Sequence, residues 1–339
     1  MDVSIIIVSY NVKDFLKNCL ESVIKFTKNI NYEIIVVDNA STDDSLEMLK
    51  QVQHDTDNLK FIDAKENGGF AKGNNLGIKQ AKGKYILLLN PDTLLVENSI
   101  ERMFLWMEAH KDVAVASCQL VDSEQKILPT GGYFPTLQRI FYWAFFLDDI
   151  FKNIKSYHPH PSSFWSPVPR HPGTSEASDE QARGFAARIY SGKKILSGSA
   201  LQNDNSIYSQ EFFPDWITGA FFMVRKDATN KDQILDENFF MYGEELEWCM
   251  RFKESGYKVG YTPITKIIHL ERKSSDSLPR NAILGEFKGL KYIYAKHFPG
   301  WQQIVLGSLL DLAAFARIVF WLVRLKPKMS KIYLEALFI

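Results

Sequence analysis

The stretch Tyr85-Ile-Leu-Leu-Leu-Asn-Pro-Asp92 is an unbroken apolar run that stops abruptly at a polar turn. A run of this kind is typical of a strand covered on both faces, as in a parallel sheet. Pro91 cannot donate a backbone hydrogen bond, so strand pairing is predicted to end there. Asp92 then lies just beyond the carboxyl end of a buried strand, where open α/β sheets bind ligands. Taken alone, Asn-Pro-Asp favours a turn over a metal site.

Strand-like runs alternate with helical segments on both sides of this stretch. Apolar runs predict strands at residues 3–10, 33–38, 61–64 and 113–121, and apolar residues at helical spacing separate them. Such alternation is the βαβ pattern. It predicts an α/β fold in which helices flank a mostly parallel sheet.

The composition of the chain excludes some functional classes. The 339 residues carry no formal net charge and are 46% hydrophobic, so binding to nucleic acid through bulk charge is not expected. Three widely spaced cysteines, Cys19, Cys118 and Cys249, indicate neither a disulfide framework nor a C-x-x-C metal site. A reducing, cytoplasmic compartment fits this cysteine usage.

The regular pattern fails in the middle of the chain, and we predict an irregular insertion at about residues 152–205. Prolines recur between His158 and Pro172, and the residues that follow are small and polar. Three histidines in this stretch could suggest metal binding, but a proline-broken polar loop explains them better. We therefore predict a first half at residues 1–110, a second half at residues 111–276 that contains the insertion, and a C-terminal helical segment (277–339).

The C-terminal segment has the composition of a membrane-associating helix. Residues 304–323 are strongly apolar and are broken only by Asp311 and Arg317. Two charges in the middle of the segment argue against a simple membrane span. Eight Lys or Arg residues against one acid between Lys288 and Lys331 favour a helix lying on the anionic inner face of the cell membrane. The alternative is a buried helix packing on the domain.

A glycine-rich loop at residues 66–77 (ENGGFAKGNNLG) precedes the strand that begins at Tyr85. Gly68 and Gly73 have the spacing of P-loop glycines, but two asparagines follow where Lys-Ser or Lys-Thr is required. The first strand-to-helix turn also lacks G-x-G-x-x-G, which disfavours a dinucleotide oxidoreductase. We expect a backbone close to a ligand, with Lys72 able to reach a phosphate.

Several motifs together resemble those of family-2 glycosyltransferases, in particular the rhamnosyltransferase-like branch. They are SIIIVSYN at 4–11, VVDNASTD at 36–43, NGGFAKGNN at 67–75, LLNPDT at 88–93, WITGA at 216–220 and FFMYGEELEWC at 239–249, followed by His269 with Ser274 and Ser275 behind it. The resemblance covers roughly residues 3–128 and 212–276. Each motif alone is weak, but their order and spacing are specific.

The resemblance implies a GT-A fold and an inverting, metal-dependent transfer from a nucleotide-sugar donor. It makes residues 1–110 the nucleotide-sugar-binding half and residues 111–276 the acceptor and catalytic half. The rhamnosyltransferase-like branch implies dTDP-rhamnose as the donor, with UDP-linked sugars as the nearest alternative. The acceptor expected is a glycan or glycolipid in cell-surface polysaccharide synthesis. A non-catalytic nucleotide-sugar-binding protein is the competing hypothesis, because two motif positions and the long insertion depart from the family pattern.

The resemblance also assigns the metal ligands and the catalytic base. Asp92 matches the last residue of the family's Asp-x-Asp motif, whose first position is Asn90 here. His269 matches a metal-ligand histidine of some relatives, and a carboxylate with an imidazole suits Mn²⁺ or Mg²⁺. Glu245 matches the base position, where Asp is commoner, and Glu244 lies beside it. The competing interpretations are that His269 is an ordinary histidine at the end of a strand, and that Glu244 and Glu245 only form the acidic N-terminus of a helix.

The remaining candidate residues follow from the same resemblance. Nucleotide-sugar contacts are implied at Ser9, Tyr10, Asp38, Asn67, Gly69, Lys72 and Asn90. Acceptor or sugar contacts are implied at Trp216, Gly219 and Glu247, although Trp216 suits the core nearly as well and Glu247 could be structural.

Overall fold

The computed structural model describes residues 1–54, 56–147, 206–229, 234–270 and 278–339, together with Tyr157. Most of the predicted insertion, including its three histidines, lies outside the described residues, as do Ser274 and Ser275. The fold is therefore described without these segments.

The described residues form eleven strands and nine α-helices. The strands are β1 (Val3–Ser9), β2 (Tyr32–Asp38), β3 (Leu59–Asp63), β4 (Tyr85–Leu89), β5 (Thr93–Leu95), β6 (Val113–Val121), β7 (Ile127–Leu128), β8 (Gly131–Gly132), β9 (Trp216–Ile217), β10 (Phe221–Arg225) and β11 (Lys258–His269). The helices are α1 (Lys13–Phe26), α2 (Ser45–His54), α3 (Gly69–Gln80), α4 (Ser99–Ala109), α5 (Leu137–Ala144), α6 (Glu244–Glu254), α7 (Leu278–His297), α8 (Gly300–Val323) and α9 (Pro327–Ala336).

One mixed sheet organises the molecule, in the order β3-β2-β1-β4-β10-β6-β11-β5. Strands β3, β2, β1 and β4 pair in parallel, as their continuous apolar runs predicted. Strand β10 runs antiparallel between β4 and β6, and β5 pairs antiparallel with β11. The expected helix-flanked sheet and the C-terminal helical region are both confirmed.

Alternate side chains of the strands pack on opposite faces of the sheet. Ile5 and Ile7 of β1 pack in one core with α1, α2 and α4, whereas Ile6 packs in a second core with α3 and α6. Because both faces are covered, the central strands carry apolar residues at successive positions. Strand β4 (Tyr85–Leu89) is fully buried for this reason.

The glycine-rich segment is mostly helical and not an open loop. Helix α3 begins at Gly69, and Gly73 and Gly77 lie on its face against β1. A Cβ atom would lie 2.7 Å from Val8 Cγ1 at Gly73 and 2.5 Å from Ile6 Cγ2 at Gly77. These two glycines therefore serve helix-to-sheet packing, and only the start of α3 is available to a ligand.

Two elements show local details of backbone pairing. Residues Lys258–His269 form the single strand β11, whose register against β6 shifts between Thr262 and Lys266. Helix α2 begins at Ser45, and the Asp43 carboxylate accepts a hydrogen bond from the Ser45 backbone N–H at 3.3 Å. Helix α5 is not among the predicted elements, whereas α9 lies within the predicted C-terminal helical segment.

Helix α8 packs on the protein with one face. Together with α5, α7 and α9 it forms a separate hydrophobic cluster that includes Leu310 and Trp321. Arg317 is also buried on this face, where it donates to the Trp143 and Ala144 carbonyls at 2.8 and 3.0 Å. Its charge satisfies the C-terminal end of α5 and does not point away from the protein.

Candidate active site

The ends of β1 and β2 carry unused polar atoms side by side. Ser9 and Asp38 are register partners, and both are fully buried. One Asp38 oxygen, Oδ2, accepts from the Ser41 N–H at 2.9 Å. The other, Oδ1, and Ser9 Oγ have no hydrogen-bond partner within the described parts of the chain. Buried polar atoms of this kind are expected to bind a polar ligand. Tyr10, the next residue, is 48% exposed beside them.

The start of α3 lies next to this strand edge. Asn67 Oδ1 accepts from the Gly69 N–H at 3.1 Å, and the Gly69 carbonyl accepts from Asn39 Nδ2 at 3.0 Å. Gly69 has a φ of +84°, and a Cβ atom there would lie 2.2 Å from the Phe240 carbonyl oxygen. Only glycine fits this position.

Lys72 lies one turn into α3 and pairs with Glu66 at 2.5 Å. This ion pair, through its hydrogen bond, raises the pKa of Lys72, which is therefore cationic. Both side chains are well exposed, so exchanging Glu66 for a phosphate costs little. The geometry is compatible with the predicted phosphate contact.

The predicted metal ligands lie together at the edge strand β5. Asp92 immediately precedes β5, and His269 ends β11 as the register partner of Thr93. His269 Nε2 lies 3.3 Å from Asp92 Oδ1. No third His, Cys, Asp or Glu joins them to form a metal-binding group among the residues that the structure describes. The pair offers one oxygen and one nitrogen donor, which suits Mn²⁺ and leaves positions for the oxygens of a ligand.

Asn90 shapes the turn that presents Asp92. Its carbonyl accepts from the Thr93 N–H at 3.2 Å and from Thr93 Oγ1 at 2.7 Å, so residues 90–93 form a β-turn with Pro91 in second place. The Asn90 N–H donates to the Ala220 carbonyl at 3.1 Å. The turn and the candidate metal ligand are therefore complementary interpretations of one stretch.

Glu244 and Glu245 begin α6 in different environments. Glu245 Oε1 accepts from the Gly219 N–H at 3.1 Å, and this side chain is partly exposed. Burial raises the pKa of Glu245 above its ordinary value. Glu244 is 1% exposed, its Oε2 lacks a partner among the described residues, and burial and then the neighbouring Glu245 raise its pKa further. Glu245 is the better placed of the two to meet an acceptor.

The segment Gly219–Ala220 connects the candidate base with the metal-ligand turn. Gly219 donates to Glu245, while Ala220 accepts from Asn90, two residues before Asp92. A Cβ atom on Gly219 would lie 2.6 Å from Glu245 Oε1 and 3.1 Å from Phe70 Cζ at the start of α3. Residues from four separate motifs are thus in continuous contact.

Two residues that were predicted to contact the acceptor or the sugar make contacts with other parts of the protein. Glu247 is fully buried in α6 and pairs with Arg251, Lys296 and His297 at 2.8, 2.8 and 3.1 Å. These ion pairs favour the structural role of Glu247, and its contact with an acceptor stays a prediction. Trp216 packs between two hydrophobic clusters and donates to the Tyr133 carbonyl at 3.2 Å, which favours its core interpretation.

Three residues of the site were missed in the sequence. Asn39 and Phe70 connect the start of α3 to β2 and to Gly219, and the Phe240 carbonyl accepts from the Phe70 N–H at 2.8 Å. All three lie within the motifs at 36–43, 67–75 and 239–249. Their positions next to Asp38, Gly69 and the helix that carries Glu245 were the signal in the sequence that could have identified them.

Comparison with known proteins finds a family match over just under half of the chain. Residues 4–165 match the sequence profile of glycosyl transferase family 2. Glycosyltransferase GlyG of Streptococcus pneumoniae is 33% identical over 116 residues, which are 34% of this chain and 38% of GlyG. The minor teichoic acid biosynthesis protein GgaB of Bacillus subtilis is 34% identical over 112 residues, 33% of this chain and 12% of GgaB. The matched part is well under half the length of each relative.

The solved mannosyltransferase PcManGT of Pyrobaculum calidifontis, in complex with GDP-Man and Mn²⁺, has the same fold. The TM-score is 0.52 at 13% identity, covering 98% of this chain and 85% of that one. The likeness supports the GT-A architecture. The family assignment rests on the matched profile, which identifies residues 4–165 as a glycosyl transferase family 2 domain.

Proposed function

We propose that this protein is an inverting glycosyltransferase that moves a sugar from a nucleotide-diphosphate donor to a glycan or glycolipid acceptor. The main observation behind this proposal is that the segment Gly219–Ala220 forms hydrogen bonds both to Glu245 and to Asn90, in the turn that presents Asp92. It connects a carboxylate of raised pKa to a carboxylate–imidazole pair, and the unused polar atoms of Ser9 and Asp38 lie on the same sheet. Inverting transfer needs a base, a site for the diphosphate and a nucleotide pocket.

In this mechanism Glu245 takes the proton of the acceptor hydroxyl as the hydroxyl attacks the anomeric carbon from the face opposite the diphosphate. The Gly219 N–H holds one carboxylate oxygen, Oε1, and so orients the other towards the acceptor. Ser9 and Asp38 bind the nucleoside. Lys72 exchanges Glu66 for a phosphate oxygen and neutralises part of its charge.

A divalent cation is the cofactor that we propose, with Asp92 and His269 as its ligands from the protein. When bound, it neutralises the negative charge that develops on the leaving diphosphate. The mixed oxygen and nitrogen donors favour Mn²⁺, and PcManGT was solved with Mn²⁺. Because Asn90 replaces a charged ligand, the cation is expected to bind tightly only together with the donor diphosphate.

The proposed donor is dTDP-rhamnose, on the strength of the resemblance to the rhamnosyltransferase-like branch. The proposed acceptor belongs to cell-surface polysaccharide synthesis. The similarity to GgaB, a minor teichoic acid biosynthesis protein, supports this class of acceptor.

We also propose that the protein binds the cytoplasmic face of the membrane through α8. Within the described residues, α8 is the helix that is long and apolar enough to cross a membrane, with a mean hydropathy of 1.9. Its outer face exposes large apolar side chains, including Ile304, Phe315 and Val323. Arg324 and the lysines that follow flank this face. Asp311 is exposed as well, which favours a helix lying at the interface over a span.

A donor screen tests the enzymatic proposal. Purified protein is incubated with Mn²⁺ and a panel of dTDP-, UDP- and GDP-linked sugars, and sugar transfer or hydrolysis is detected by mass spectrometry. We expect turnover of dTDP-rhamnose and at least about 100-fold less in Asp92→Ala, because the developing charge on the diphosphate is no longer neutralised. Donor binding without any turnover across the panel would favour the non-catalytic hypothesis.

A further inference from the structure

The loop before α6 has a strained backbone that needs support from outside. Tyr242 has a φ of +73° and Gly243 a φ of +110°, immediately before Glu244. A large aromatic residue at positive φ costs free energy and persists only where neighbouring groups hold it. This loop fixes where α6 begins, and therefore where Glu245 lies.

The support comes from one face of α7. A Cβ atom on Gly285 would lie 3.3 Å from the Met241 carbonyl oxygen, and one on Gly289 would lie 3.1 Å from the Tyr242 carbonyl oxygen. The two glycines are four residues apart and so share a face of the helix. Their missing side chains allow the loop backbone to lie directly on α7.

Further contacts continue along the same face towards the C-terminal end of α7. The Tyr292 ring packs edge-to-face on Phe239 at 5.1 Å, and its hydroxyl donates to Asp236 at 2.9 Å. Lys296 pairs with Asp236 at 2.6 Å and with Glu247 at 2.8 Å. Helix α7 thus contacts the loop before α6 and also α6 itself, two residues beyond Glu245.

We propose that α7 is a brace that sets the position of Glu245, with Gly285, Gly289, Tyr292 and Lys296 as positioning residues. The inference rests on the proposed role of Glu245 as the base. None of the four residues needs to touch the substrates. They fix the loop on one side, while the Phe240 carbonyl fixes it to α3 on the other.

Glycine substitutions test the brace with a matched control. Gly289→Ala and Gly285→Ala place a methyl group against the loop backbone, whereas Gly307→Ala in α8 places one where nothing lies within 4 Å. All three gain the same helix propensity, so the comparison isolates the contact. Each variant is assayed for kcat, donor KM and the pH dependence of kcat, with its folding followed by circular dichroism.

We expect kcat to fall about tenfold in Gly289→Ala and Gly285→Ala, with donor KM within about twofold, because only the base is displaced. The acidic limb of the pH profile should move to lower pH, since a displaced Glu245 is better hydrated. Hydrogen exchange in residues 236–247 should quicken. Gly307→Ala should match the wild type in all of these measurements.

The brace is refuted if both α7 variants match Gly307→Ala in kcat and in the pH limb. A variant that loses its fold is replaced by Tyr292→Phe, which removes only the hydroxyl bound to Asp236 and should shift the same quantities. If wild type and Gly307→Ala transfer no sugar at all, the proposed function fails instead. The two failures are therefore distinguishable.

Discussion

Glu245 shows at the scale of a single residue how burial can suit a carboxylate to accept a proton. Burial disfavours its charged form and raises its pKa above the ordinary value near 4.5. A carboxylate of raised pKa is a stronger base than an ordinary one. The Gly219 N–H opposes this shift only partly and fixes the orientation of the side chain.

The pH dependence of transfer follows from the direction of this shift. Because the protonated carboxyl cannot accept the acceptor proton, kcat should fall as the pH falls through the raised pKa of Glu245. Glu245→Gln should remove this limb and lower kcat roughly 10²- to 10⁴-fold, while donor affinity is largely kept. Rates measured between pH 4 and pH 9 with donor binding by calorimetry check this. If Glu244→Gln has this effect and Glu245→Gln does not, Glu244 is the base.

Glu247 belongs to the scale of secondary-structure elements, since it ties α6 to the C-terminal end of α7. Burial acts to raise its pKa, but Arg251 and Lys296 outweigh burial and lower it. Glu247→Gln removes the counter-charge of Arg251 and leaves Lys296 paired with Asp236 alone, and it should reduce the free energy of unfolding by about 3 kcal/mol. Urea denaturation of the variant measures this. Normal stability with a raised acceptor KM would restore the acceptor role.

The strands and helices show what local sequence could predict. The parallel strands β1, β2 and β4 were predictable because each is a continuous apolar run that ends at a polar residue. The antiparallel strand β10 lies beside β4, but its 132 residues of separation leave no local signal for this pairing. The ion pairs of Glu247 could not be predicted for the same reason, because Lys296 and His297 lie about fifty residues away in the sequence.

The candidate site was predicted in part for a related reason. Motif order made Asp92, His269 and Glu245 candidates, but it could not show that Ala220 and Asn90 share a hydrogen bond. The glycines of residues 66–77 illustrate the limit of composition. Gly69 contacts the loop that precedes the base, whereas Gly73 and Gly77 fit α3 onto β1. Composition alone does not separate these two uses.

At the scale of the whole molecule, α8 has one face for the protein and one that remains exposed. The inner face buries Leu310, Trp321 and the charge of Arg317. The outer face exposes 51% of Leu312 and 60% of Phe315. A contiguous apolar face of this kind next to basic residues is suited to an anionic membrane surface. Truncating α8 would also damage the core, so surface substitutions give a cleaner test.

The double variant Leu312→Gln, Phe315→Gln should bind vesicles of phosphatidylcholine and phosphatidylserine more weakly than wild type. Each side chain contributes about 1 kcal/mol when its exposed part enters the interface, so affinity should fall roughly 30-fold. Leu105→Gln on α4, at a side chain that is 56% exposed, is the matched control and should bind as wild type does.

Wild-type binding should also weaken without phosphatidylserine and at high salt, because the basic flank of α8 acts through screened charge. Equal sedimentation of all variants with vesicles would contradict the membrane proposal. If a second copy of the chain covers this face instead, wild type would be a dimer by light scattering, and the double variant a monomer. In that case the apolar length of α8 serves assembly, and the acceptor need not be bound to lipid.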